Sequence, residues 1–203
     1  MSALLIATTN PHKLDEYRAI FVGLPLDLRS LRDVGIDDDV EETGETFEAN
    51  ARLKAAYYAQ RSGLLTLADD SGLEVAALNG EPGVRSARYA GPGASDRDRI
   101  DLLLKNLEQV PFHARLARFV CAIALARPNG VIEVVEGAIN GVIEQAPRGE
   151  HGFGYDPVFY VLDEDLTLAE LPPERKNAIS HRAVAAKGAR TILERWLGDE
   201  MTG

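Results

Sequence analysis

Two adjacent carboxylates, Asp69 and Asp70, follow directly on the apolar run Leu64-Leu65-Thr66-Leu67, within Ala68-Asp69-Asp70-Ser71-Gly72. The run suits a buried strand, and a pair of ionised acids at its end is costly unless something cationic stands opposite. Any fold of this chain must therefore bring positive charge to that point. A hard cation is the natural candidate, because Mg²⁺ takes one or two carboxylates and fills its remaining positions with water and phosphate oxygens. Asp, Ser and Gly are also common turn formers. The pattern thus predicts a turn over 69–72, between strands over 64–68 and 73–77.

The 203 residues suit one domain or two tightly joined lobes, and with 45% apolar residues a sizeable core is available. A net charge of −10 argues against a nucleic-acid partner, which usually calls for a basic face, but leaves room for an anionic substrate met by local cations. Cys121, the single cysteine, lies in the apolar run Phe119-Val120-Cys121-Ala122-Ile123 and reads as a buried structural thiol. No signal peptide is visible and no apolar stretch approaches transmembrane length. The expected setting is soluble, reducing and cytoplasmic, away from membranes.

Strand-like and helix-like segments alternate along the chain. Residues 3–8 and 26–31 read as strands, and 12–22, 46–61, 95–108 and 180–197 as helices. Residues 116–126 and 131–136 form a hairpin across Arg127-Pro128-Asn129-Gly130, Asn140-Gly141 marks another turn, and 158–161 is a short strand. No repeat, low-complexity tract or linker divides the sequence. The fold class is α/β with a sheet that is not purely parallel.

Four clusters carry chemistry besides the acid pair. Thr8-Thr9-Asn10-Pro11-His12-Lys13 sits between a strand and a helix, where backbone N–H groups and the helix dipole attract anions. The same residues also suit an ordinary helix cap. Glu41-Glu42 and Lys54 offer a further metal ligand and a phosphate cation, or a solvated acidic loop and a surface lysine. Phe153-Gly154-Tyr155-Asp156-Pro157 offers two aromatics for a base, or two rings for the core. Lys176-Asn177-Ala178-Ile179-Ser180-His181-Arg182 gathers cations beside a helix start. Acids for a metal, cations for phosphates and aromatics for a base are the inventory of a nucleotide hydrolase.

The order of these motifs resembles the inosine/xanthosine triphosphate pyrophosphatase family. The resemblance rests on Ala7–Lys13, on Glu41-Glu42-Thr43-Gly44-x-Thr46-Phe47-x-x-Asn50-Ala51-x-x-Lys54-Ala55, on Ala68–Leu73, on Pro82–Gly91, on Pro147–Pro157, and on Lys176-Asn177-x-x-Ser180-His181-Arg182. It covers nearly the whole chain. Thr9 stands where many relatives carry glycine.

The resemblance implies a single pyrophosphatase domain over 1–203, built as a long mixed sheet flanked by helices. It implies two lobes with a central active-site cleft, assembled as a homodimer. The implied reaction is Mg²⁺-dependent hydrolysis of non-standard purine nucleoside triphosphates (ITP, dITP, XTP) to monophosphate and pyrophosphate, cleansing the nucleotide pool. Asp70 is implied as the base that activates water, with Glu41, Asp69 and Asp70 at the metal and Glu42 as the alternative to Glu41. Thr8, Thr9, Asn10, Pro11, His12, Lys13, Lys54 and Ser71 are expected on the substrate, as are Phe153, Gly154, Tyr155, Asp156, Lys176, His181 and Arg182. Arg182, an obligatory donor, would meet a 6-oxo group and reject a 6-amino group. Two other readings compete: a pyrophosphatase for a different modified nucleotide, and a nucleotide-binding module without turnover.

Overall fold

The computed structural model describes residues 2–202, without the side chains of 199–202. Its elements are β1 (Ser2–Ile6), α1 (Pro11–Ile20), β2 (Leu26–Ser30), α2 (Phe47–Ser62), β3 (Leu65–Val75) and α3 (Asp96–Asn106). They continue as β4 (Leu116–Ala126), β5 (Ile132–Ile143), β6 (Phe159–Val161), β7 (Leu166–Thr167), α4 (Pro173–Ile179) and α5 (His181–Thr202). The strands form one seven-stranded mixed sheet in the order β2-β1-β3-β4-β5-β6-β7. β1 pairs in parallel with β2 and β3, whereas β5-β6-β7 is antiparallel. The α/β class and mixed sheet expected from the sequence are present.

Local chemistry starts the helices. The Asn10 side chain accepts from the N–H groups of His12 and Lys13, with Pro11 at the first position of α1. Thr46 caps α2 through the Ala49 N–H, and Ser95 and Asp98 form a reciprocal capping box on α3.

The chain divides into two compact units. The first holds residues up to Asp70, Cys121–Gly137 and the chain from Arg182; the second holds Ser71–Val120 and Ala138–His181. Leu4, Ile6, Leu67, Ile123 and Leu125 from the strands pack with Tyr17, Phe21, Leu193 and Trp196 in the first unit. In the second, Leu73, Phe119, Ile143 and Phe159 pack with Ile100, Leu103, Leu107 and Tyr155. Each such buried side chain contributes about 1.5–3 kcal/mol relative to exposure.

Two expectations are corrected. The turn over 69–72 is absent, because β3 runs unbroken through both acids. Their charges are met by side chains from α1, α2 and α5, so strand pairing overrides the local turn preference. Asn140-Gly141 is likewise inside β5. A Cβ on Gly141 would lie 2.4 Å from the Tyr160 carbonyl oxygen and 2.7 Å from the Phe159 ring, so glycine is there for close approach of β6. Residues 173–179 form the helix α4, which the sequence reading missed.

Candidate active site

Successive side chains on a strand point to opposite faces, so the continuity of β3 gives Asp69 and Asp70 different surroundings. Asp69 meets Lys13 of α1, with Nζ 2.9 Å from Oδ2, and Arg182 at the start of α5, 3.6 Å away. The Cys121 thiol approaches the same oxygen at 3.8 Å. Arg182 is also bonded to Glu16 and lies over the Tyr17 ring. Charge therefore alternates along Glu16, Arg182, Asp69 and Lys13. Burial alone would raise the Asp69 carboxyl, but Lys13, Arg182 and Lys54 outweigh it and hold it below the ordinary carboxylate range. Burial pushes the Cys121 thiol up to about 12, which keeps it neutral and agrees with its structural reading.

Asp70 faces α2. It accepts a 2.9 Å hydrogen bond from the Asn50 amide and lies 4.0 Å from Lys54. Lys54 is held more closely by Glu42, at 2.5 Å. Burial, reinforced by the charge of Glu42, raises the Asp70 carboxyl despite Lys54 and Asn50. Asn50 also accepts from the Gly44 N–H at 2.7 Å, and a Cβ on Gly44 would lie 2.7 Å from the Asn50 oxygen. Glycine thus lets the acidic loop close on α2. Glu42 is the loop acid standing with Lys54, whereas Glu41 is exposed.

The donor set suits Mg²⁺. Asp70 offers hard oxygens, its carboxyl raised chiefly by burial, and Glu42 stands on the same lysine. Among the described residues no group of three or more His, Cys, Asp or Glu forms a closed cage. Mg²⁺ does not need one, since water and phosphate complete its shell. Asp69, also expected at the metal, stands against Lys13 and Arg182.

The loop from Thr8 to Lys13 is braced internally, with the Asn10 N–H donating to Thr8 Oγ1 at 3.2 Å while the Asn10 amide oxygen caps α1. Thr9, Pro11 and His12 are exposed, and Lys13 is drawn inward by Asp69.

The second unit gathers the remaining candidates. Lys176 and Asp156 form a buried 2.5 Å ion pair, each side chain 4% exposed. Asp156 also accepts the Phe153 N–H at 2.8 Å, and the Lys176 ammonium lies 4.8 Å from the Phe153 ring centre. A Cβ on Gly152 would fall 2.1 Å from the Asp156 carboxylate, so that position must be glycine. Gly154 donates to Asp96 at 2.7 Å. Of the two rings expected to stack on a base, Phe153 is half-buried, whereas Tyr155 belongs to the core and donates its hydroxyl to the Ser86 carbonyl. His181 is buried against Phe119, ring on ring at 4.7 Å. Ser71 directly follows Asp70 on β3.

Residues 4–192 match the model of the Ham1 family. The chain belongs to that family. It is 52% identical to the dITP/XTP pyrophosphatase of Geobacter sulfurreducens, over 91% of this chain and 93% of that one. It is 47% identical to the dITP/XTP pyrophosphatase of Bacillus licheniformis, over 96% and 99%. The solved HAM1 protein of Coxiella burnetii superposes with a TM-score of 0.88 at 43% identity, covering 96% of this chain and all (100%) of that one. The family match agrees with the family resemblance read from the sequence. Sequence reasoning assigned no role to Asn50, Glu16 or Asp96. Asn50 stood inside a quoted motif, and the spacing Lys13-x-x-Glu16 puts two charges on one helical face.

Proposed function

We propose that this protein hydrolyses non-standard purine nucleoside triphosphates of the dITP, ITP and XTP class to the monophosphate and pyrophosphate, and so cleanses the nucleotide pool. The observation that carries the reading is Asp70: a buried carboxylate, oriented by Asn50, with its pKa raised and a lysine nearby. A carboxylate so placed is suited to take a proton from an attacking water. Its near-full-length likeness to dITP/XTP pyrophosphatases supports the substrate class.

Asp70, with Glu42 or Glu41 from the acidic loop, would hold Mg²⁺, which when bound neutralises charge on the phosphates. Lys13, Lys54 and the Thr8–His12 loop bind the phosphates, and Ser71 borders them. Phe153 stacks on the base, with Gly154 and Asp156 shaping its loop and Lys176 and His181 beside it. Glu16 and Asp69 fix the orientation from which Arg182 donates to a 6-oxo group. The protein acts as a cytoplasmic homodimer. Among the described residues no helix is long and apolar enough to cross a membrane.

The test is a panel of nucleoside triphosphates with pyrophosphate and phosphate measured separately. Pyrophosphate and inosine monophosphate are expected from ITP, with ATP turned over poorly. Inosine diphosphate as first product would overturn the reaction class, and binding without turnover would leave a nucleotide-binding module.

A further inference from the structure

We propose that Asp96, at the start of α3, is a positioning residue that sets the base-side loop Phe153–Asp156. The inference rests on the reading that this loop meets the base. The Asp96 carboxylate accepts the Gly154 N–H at 2.7 Å, across 58 residues of chain. Its helix does not need it there. Ser95 and Asp98 already cap α3 reciprocally, through the Ser95 N–H at 2.8 Å and the Asp98 N–H at 3.2 Å. Asp96 is instead paired with Arg99, whose guanidinium also donates to the carbonyls of Ala87 at 2.9 Å and Ala94 at 2.7 Å.

The first turn of α3 thereby ties two loops together: the segment over 87–94, which contains Gly91-Pro92-Gly93, and the base-side loop. A second tie runs in parallel, from the Tyr155 hydroxyl to the Ser86 carbonyl at 2.9 Å. Gly154 is the point at which α3 holds the base-side loop. It adopts φ +63, a left-handed conformation that glycine takes without steric cost. Fixing the Gly154 amide fixes the peptide that follows Phe153, and with it the plane the Phe153 ring offers to a base.

The decisive variant is Asp96→Ala. The ITP/ATP ratio of kcat/KM should fall about 5- to 30-fold, mainly through KM for ITP, the scale of one lost hydrogen bond. Inhibition by pyrophosphate should not change. Asp96→Asn should restore most of the ratio, because its amide oxygen still accepts the Gly154 N–H. Hydrogen exchange at Gly154 should accelerate in Asp96→Ala and not in Asp96→Asn. An unchanged ratio in Asp96→Ala, equal slowing of ITP and ATP, or an Asp96→Asn variant as impaired as Asp96→Ala would each overturn the assignment. If Asp96→Ala does not fold, Arg99→Gln leaves the carboxylate but unties it from Ala87 and Ala94; the same ratio should fall by a smaller factor, and no fall overturns the proposal. Phe153→Ala separates the two levels of argument. If it leaves the ratio intact, the base-loop reading itself fails. If it collapses the ratio while Asp96→Ala does not, only the role of Asp96 fails.

Discussion

Asp70 in the first unit and Asp156 in the second are both buried carboxylates facing a lysine, yet Lys176 lies 2.5 Å from Asp156 while Lys54 stands 4.0 Å from Asp70. Lys54 is drawn away by Glu42, and Asp156 gains the Phe153 N–H in addition to its lysine. A closely matched pair of this kind is scaffold, since a buried ion pair survives only where geometry and hydrogen bonds repay desolvation. A loosely matched carboxylate retains affinity for a proton or a cation. The contrast supports the proposed placement of the base at Asp70 rather than at Asp156.

The comparison is most sharply tested at Asp70. Asp70→Asn should leave the fold intact and lower kcat by about 10²–10⁴, the usual cost of a lost positioned base. Steady-state kinetics at saturating Mg²⁺, with circular dichroism as a folding control, measures it. Near-normal kcat would move the base elsewhere and erase the contrast.

Breaking the matched pair should act on stability instead. Lys176→Met leaves the Asp156 carboxylate buried without its cation, at a cost of about 3–5 kcal/mol in urea unfolding. Lys54→Met should cost less stability, because Glu42 is 30% exposed and can turn to water. If the two variants are equally destabilised, Lys54 is as much scaffold as Lys176.

Arg182 tests whether the first region also reads the base. Arg182→Ala should shrink the ITP/ATP ratio of kcat/KM about 5- to 150-fold, from the loss of a base contact worth about 1–3 kcal/mol. It also removes a cation from Glu16 and Asp69, so Arg182→Lys, which keeps a charge but loses the planar fork, is the cleaner companion. Equal slowing of ITP and ATP would give Arg182 to Asp69 and the phosphates alone.

Much of this was legible in the chain because local signals agreed with tertiary ones. Asn10, Thr46 and Ser95 are helix caps in the structure, and 116–126 is the strand its apolar run implies. The misreadings came where distant residues overrode short-range preference. Asp-Asp-Ser-Gly has the composition of a turn, yet it continues as a strand, with cations from α1, α2 and α5 facing its acids. Asn140-Gly141 looks like a turn until the backbone of Tyr160 is laid against it. Among the candidate site residues, the acids and cations were singled out by type and spacing. Asn50, Glu16 and Asp96 were not, because each acts through a partner 20, 166 or 58 residues away. Tyr155 shows the converse: its spacing with Phe153 suggested a stacking ring, and burial makes it core.

The smallest expected effect, and the one specific to neighbouring acids on opposite strand faces, is a difference in sign. Asp69 is held below the ordinary carboxylate range, because Lys13, Arg182 and Lys54 outweigh its burial. Its contribution to stability is therefore present above the unfolded carboxylate pKa of about 3.9 and is lost as pH falls below that value. Asp70 is raised by burial, with Glu42 adding to it. Its contribution is complete below about 3.9 and is lost as pH rises through the raised folded value. In the metal-free protein, urea unfolding across about pH 3 to 6 should resolve the two. Asp69→Asn should flatten the loss of stability on the acid side, and Asp70→Asn should remove a decline on the upper side. Both variants bending the profile the same way would mean that the two faces of β3 do not present the different charge environments inferred from their partners.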